Sequence, residues 1–217
     1  MQKKKKRIIQ ISLIASLICL SAILVPSTKD DNLPKKEVQK IAPRKYTIAE
    51  KKKILLDLGV DLKTNYGLKI SPSKFADMAL IMLYCESGLN PKAVSVDGHE
   101  SQGINQLTSA TRKRLNIPDY ILDDDFPQQV EYFKQFLIST KKISKIDNSV
   151  TLHLLNFAPC VPLSRQDSIC TATGGLVHLD LNKNGKIDSK DFLQFQRQRT
   201  SENKTVKAIF EKHYGQP

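Results

Sequence analysis

One segment of this 217-residue chain must be buried wherever it folds. Phe75, Met78, Ala79, Leu80, Ile81, Met82, Leu83 and Tyr84 form a run that is apolar nearly all round at helical spacing, and such a helix belongs in a core. Ser71 is suited to cap its start, with Pro72 in the first turn. Gly88 can take the left-handed conformation that ends it, and Pro91 cannot continue it. Glu86 therefore falls in the last turn of a buried helix. Apolar surroundings and the partly negative helix C-terminus both disfavour a carboxylate there. A carboxyl group that keeps its proton near neutral pH is what a general acid requires.

Ahead of this segment the chain carries a targeting signal. Lys3, Lys4, Lys5, Lys6 and Arg7 supply five of the net charge of +12, which leaves +7 for the rest. The 18 residues from Ile8 to Val25 hold no charge, long for the apolar part of a signal peptide and just long enough to span a bilayer. Val25-Pro26-Ser27 is a poor cleavage site, and Ile18 before Cys19 argues against a lipoprotein cysteine. Residues 1–27 read as a signal anchor with its basic end in the cytoplasm, or else as a cleaved signal peptide. Residues 28–45, polar and interrupted by Pro34 and Pro43, read as a linker. The basic remainder suits an anionic partner (nucleic acid, anionic lipid or a cell-wall polymer) or is simply a solvated Lys-rich surface.

From residue 46 onward the pattern is mainly α. Thr47-x-x-Glu50 has the form of a capping box before Ile54, Leu55 and Leu58, and Gly59 weakens the helix that follows. Ala93 to Gln106 is rich in Gly, Ser and Asp and reads as an irregular loop. Short helices are expected over Leu107–Leu115, Gln128–Ile138, Ser149–Phe157, Ser189–Arg197 and Ser201–His213. In the last two, Phe192, Phe195, Val206, Ile209 and Phe210 face inward.

The run from Asp180 to Asp191 has the spacing of a calcium loop. Asp180, Asn182, Asn184, Asp188 and Asp191 supply side-chain oxygens at the first, third, fifth, ninth and twelfth places. Gly185 is sixth, and Lys186 offers its carbonyl at the seventh. Asp in place of the usual Glu at the twelfth position implies looser coordination, so a structural Ca2+ site of weak affinity is expected, the alternative being an Asn/Gly-rich turn. Cys160 and Cys170 are spaced to close a short loop in an exported domain. Cys85 is either a small buried hydrophobe or a nucleophile paired with His99 or His153.

Glu86-Ser87-Gly88-Leu89-Asn90-Pro91-x-Ala93-Val94-Ser95 resembles the catalytic signature of the soluble lytic transglycosylases of the lysozyme superfamily. Ser101-Gln102-Gly103-Ile104-Asn105-Gln106-Leu107, followed by Ala110-Thr111, resembles the second signature at the family's spacing. Leu155-Asn156-Phe157 stands where the family has Ala-Tyr-Asn, without the Tyr. Asn105 replaces a usual Met, and Gly98-His99-Glu100-Ser101 departs from Gly-Ala-x-Gly. The resemblance covers Pro72 to Phe157.

This resemblance implies a lysozyme-like catalytic domain over 46–165; the oxygen-donor spacing and helical pattern beyond it read as a calcium-loop region and C-terminal helices over 166–217. It implies cleavage of the β-1,4 bond between N-acetylmuramic acid and N-acetylglucosamine in peptidoglycan. Glu86 would protonate the bridging oxygen and then accept the proton of the muramoyl C6 hydroxyl, leaving a 1,6-anhydro end. Ser87 would orient Glu86 or the substrate N-acetyl group, while Gln106 and Asn156 would hydrogen-bond sugar. The expected partners are glycan strands and, through residues 8–25, a membrane, with no nucleic acid and no catalytic cofactor. The family also includes phage virion proteins that open the wall during infection. Two alternatives stay open: a goose-type lysozyme using Asp97 or Glu100 as a second carboxylate, and a module that binds glycan without cutting it.

Overall fold

A computed structural model describes residues 44–95, 100–158, 170–171 and 180–215. The apolar segment over 8–25, most of the linker, Asp97, His99 and Cys160 lie outside the described residues. Among the described residues no helix is long and apolar enough to cross a membrane.

The described chain is mainly α. Its helices are α1 (Ile48–Tyr66), α2 (Pro72–Ser87), α3 (Ser109–Arg114), α4 (Phe126–Thr140), α5 (Ser149–Phe157), α6 (Ser189–Thr200) and α7 (Lys204–Tyr214). Two short strands, β1 (Cys170–Thr171) and β2 (Lys186–Ile187), pair antiparallel with Cys170 opposite Ile187. Local chemistry sets the helix ends. Thr47 and Glu50 exchange the two hydrogen bonds of a capping box at the start of α1. Ser71 Oγ accepts from Lys74 N at the start of α2, and Gly88 closes that helix at φ 65°.

Helix α2 is the centre of the fold: α1, α5, α6 and α7 all pack against it. Phe75, Ala79, Leu80, Ile81, Met82 and Leu83 have no exposed surface. One side of α2 joins a core with Leu55 and Leu62 of α1, Phe133 and Leu137 of α4, and Leu152 and Leu155 of α5. On another side Ile81 and Cys85 meet Val206 and Phe210 of α7. Each of the buried Leu, Ile, Met, Val and Phe side chains contributes about 1.5–3 kcal/mol by leaving water. Helices α6 and α7 thus share their central helix with the rest of the described fold.

Helix α1 runs straight through Gly59, where the sequence suggested a weak point. A Cβ on Gly59 would come 2.9 Å from Pro72 O, so the bare backbone is what lets the start of α2 cross α1 this closely. Asp77, 1% exposed, ties three helices together. Its carboxylate meets Lys52 Nζ of α1 at 2.5 Å, and Lys212 Nζ and His213 Nε2 of α7 at 3.2 and 3.0 Å.

Candidate active site

Of the stretch after α2, residues 88–95 and 100–107 are described, and they fold back against its end, held in place largely by polar side chains. Backbone bridges join Val94 to Gln102 and Gln102 to Leu107. Leu89, Glu100 and Gln106 adopt left-handed backbone conformations, as do Gly88 and Gly103. For non-glycine residues that is sparsely populated space, which persists only where the surroundings enforce it.

Gln129 of α4 supplies much of that enforcement. Its Oε1 accepts from Ile104 N at 2.8 Å, and its Nε2 donates to Pro91 O at 2.8 Å and Ile121 O at 2.7 Å. One buried amide therefore joins the stretch after Glu86 to the stretch before Gln106. Gly103 must lack a side chain here, because its φ is +79° and a Cβ would fall 2.6 Å from Gln129 Oε1. Arg112, 3% exposed, donates through Nη1 to Glu100 O and Leu107 O and so braces both ends of the second loop. Burial lowers its pKa. Neither Gln129 nor Arg112 stood out in the sequence, since each acts on backbone carbonyls or amides with no motif of its own.

Glu86 sits at the rim of the core with its side chain 18% exposed. Asn156 Nδ2 of α5 donates to Glu86 Oε1 at 3.0 Å and to Asn105 O at 3.1 Å. Asn105 Nδ2 returns a long contact of 3.5 Å to Asn156 Oδ1. The three stretches that carry the resemblance thus meet around one carboxyl group. Asn105 is 1% exposed, and its polar side chain has a partner where a Met would have none.

Ser87 Oγ lies 3.0 Å from Leu83 O and 2.8 Å from Ile104 O, so its hydroxyl clamps the second loop onto the last turn of α2. Gln106 Nε2 donates to Gly103 O at 2.9 Å and Ala93 O at 3.3 Å, which holds the two loops side by side. Ser87 and Gln106 therefore frame Glu86 through backbone carbonyls, and it is Asn156, expected as a sugar contact, that touches Glu86. Glu100 is exposed, with its carbonyl occupied by Arg112.

A second partner of Glu86 is His153, one of several histidines without a recognisable spacing in the sequence. Its Nε2 lies 2.9 Å from Glu86 Oε1. His153 and Asn156 are three residues apart on α5 and so share a face. The apolar surroundings expected for Glu86 are thus replaced, on the α5 side, by the Asn156 amide and an imidazole nitrogen. Cys85 points elsewhere, into the contact with Val206 and Phe210. Burial, and then the nearby Glu86, push its thiol pKa well up. With both ring nitrogens of His153 engaged by Glu86 and Gln196, no Cys85–His153 nucleophile pair forms.

The Asp180–Asp191 loop lies at the start of α6. Asp180 accepts from Asn184 N at 2.9 Å and Gly185 N at 2.8 Å, and Gly185 turns the chain at φ 79°. Asp188 caps α6, receiving Lys190 N and Asp191 N, while Asp191 accepts from Asn182 N and Asp188 N. Asn182 and Asn184 reach Asp188 through their amides at 3.4 and 3.1 Å. These five side chains gather hard oxygen donors in one loop, the chemistry Ca2+ prefers. Among the described residues, no three His, Cys, Asp or Glu side chains are grouped as a metal-holding cluster. The oxygens here are shared between aspartates and asparagine amides.

No protein-family model, curated protein or solved structure matches the chain.

Proposed function

We propose that the chain is a peptidoglycan lytic transglycosylase with Glu86 as its single acid–base residue. The observation that supports this reading most is the 3.0 Å hydrogen bond from Asn156 to Glu86, closed by Asn156 on Asn105 O. It brings the glutamate-bearing helix end together with residues from both other stretches of the resemblance.

The hydrogen bonds suggest how the carboxyl group works. His153 and Asn156 both donate to Oε1, which leaves the transferable proton to Oε2. That proton passes to the glycosidic oxygen as the bond to the muramoyl anomeric carbon breaks. The resulting carboxylate takes the proton of the C6 hydroxyl as this oxygen attacks the anomeric carbon. The sugar supplies its own nucleophile, so no second carboxylate is needed, unlike in most glycosidases. With their amide N–H groups held by Gly103 O, Ala93 O, Glu86 and Asn105 O, Gln106 and Asn156 would meet sugar through their amide oxygens.

The remaining parts fit the same reading. Residues 8–25 carry the domain to the outer side of a membrane, where peptidoglycan lies. Asp180, Asn182, Asn184, the Lys186 carbonyl, Asp188 and Asp191 would hold Ca2+, which would stiffen the entry into α6 and take no part in the reaction. Clearing of a suspension of purified cell walls by the exported domain tests the proposal. Walls that stay turbid under conditions in which a known wall-cleaving enzyme clears them would overturn it.

A further inference from the structure

Helix α5 presents Ser149 and His153, four residues apart, toward α6 and α7. His153 is 3% exposed, flanked by the rings of Phe192 and Phe195 at 5.1 and 5.7 Å. Its Nδ1 lies 3.1 Å from Nε2 of Gln196, a side chain with no exposed surface. The orientation of the Gln196 amide follows from its other partners. Nε2 lies 3.2 Å from Ser149 O, which can only accept, and Oε1 lies 2.7 Å from Ser149 Oγ. Tyr214 OH accepts from Ser149 N at 2.8 Å and stands 2.6 Å from Ser149 Oγ.

These contacts admit a consistent assignment of protons. Tyr214 donates to Ser149 Oγ, and Ser149 donates to Gln196 Oε1. Gln196 spends one N–H on Ser149 O and the other on His153 Nδ1. Nδ1 is then an acceptor, so the neutral ring carries its proton on Nε2, directed at Glu86 Oε1 at 2.9 Å.

We propose that His153 is a positioning residue for Glu86, and that Gln196, Ser149 and Tyr214 lock it in the tautomer that does this. The C-terminal helices, which lie outside the stretch of resemblance, thereby complete the site. Asn156 and His153 together fix Oε1, and the lock prevents the ring from turning its lone pair toward the carboxylate. The effect on turnover rests on the reading of Glu86 as the acid–base residue, whereas the tautomer does not.

Two measurements test this. Long-range 15N–1H NMR of the folded wild-type protein reports the His153 tautomer without any substitution. The expected signature is a protonated Nε2 and an unprotonated Nδ1, and a protonated Nδ1 overturns the lock. In Gln196→Leu the same spectrum should show mixed tautomers, and an unchanged one overturns the part assigned to Gln196.

The second measurement is the kinetics of wall cleavage. His153→Leu should lower kcat about 10- to 100-fold with KM little changed, the loss expected when a hydrogen bond to a group that becomes charged in the reaction is removed. His153→Gln, whose amide N–H reaches the place of Nε2–H, should recover most of it. Full activity in His153→Leu, or equal losses in the two variants with the fold intact by circular dichroism, overturns the positioning role. If the wild type cleaves nothing, the functional reading fails and takes the positioning role with it, while the NMR result still decides the lock.

Discussion

Asn156 and Glu86 are separated by 70 positions in the chain and meet at 3.0 Å. The contact depends on α5 lying against α2, and it turns a helix-end glutamate into a group of defined orientation. Asn156→Ala should reduce release of wall fragments by roughly 10- to 100-fold, as loss of a hydrogen bond to a group that becomes charged in the reaction does. The side chain is only half-buried, so the melting temperature should fall by a few degrees at most. Fragment release and a thermal melt on one preparation check both halves. Undiminished cleavage would mean that the contact is incidental to the reaction.

Asp77 provides a pH-dependent test of the packing around α2. Burial works to raise its pKa, but Lys52, His213 and Lys212 outweigh burial and hold it below the ordinary aspartate value. A depressed folded-state pKa contributes stability that is fully present above the unfolded value of about 3.9 and is lost as pH falls through the folded value. Asp77→Asn should therefore cost about 1–3 kcal/mol at neutral pH, less than a fully buried pair because Lys52 and Lys212 are 37% and 64% exposed. The gap between wild type and variant should close as the pH is lowered below about 4. Urea titrations across that range measure it, and a gap that widens toward acid would show that Asp77 is not the stabilising anion.

The two ends of α2 were readable from sequence because their signals are local. Ser71, Pro72 and Gly88 act within one turn of the helix boundary, and the structure has the helix run from Pro72 to Ser87. The span of α5 and the capping box of Thr47 follow the same logic. Glu86 stood out by its place at the end of a buried helix and Asn156 through the resemblance, while their contact is a tertiary fact. His153 was one of several scattered histidines because its partners, Glu86 and Gln196, sit on other helices and form no local pattern with it. Gln196 lies 43 positions away on another helix. Gly59 misled for a related reason: helix propensity marks glycine as a weak point, while its reason here is the neighbouring backbone at Pro72.

The Asp180–Asp191 loop makes a thermodynamic prediction. An ion that binds only the folded chain stabilises it by about 2.7 kcal/mol when its free concentration is a hundredfold above the dissociation constant. Chelation should lower the melting temperature, and Asp180→Ala, which removes the acceptor of Asn184 N and Gly185 N, should abolish the dependence on calcium. Calorimetry at millimolar Ca2+ reads binding directly. No heat and an unmoved melting curve would leave the loop as an Asn/Gly-rich turn capping α6, with the assignment of Glu86 unaffected.

The central claim is that Glu86 alone serves as acid and base in cutting the glycan. Mass spectrometry of the fragments released from purified cell walls by wild type and Glu86→Gln tests it most directly. The substitution keeps the shape of the side chain and removes the proton it gives. The account predicts fragments ending in 1,6-anhydro-N-acetylmuramic acid from the wild type and none above background from Glu86→Gln, with both proteins folded. Reducing-end fragments from the wild type, or anhydro fragments from Glu86→Gln at an appreciable rate, would contradict it.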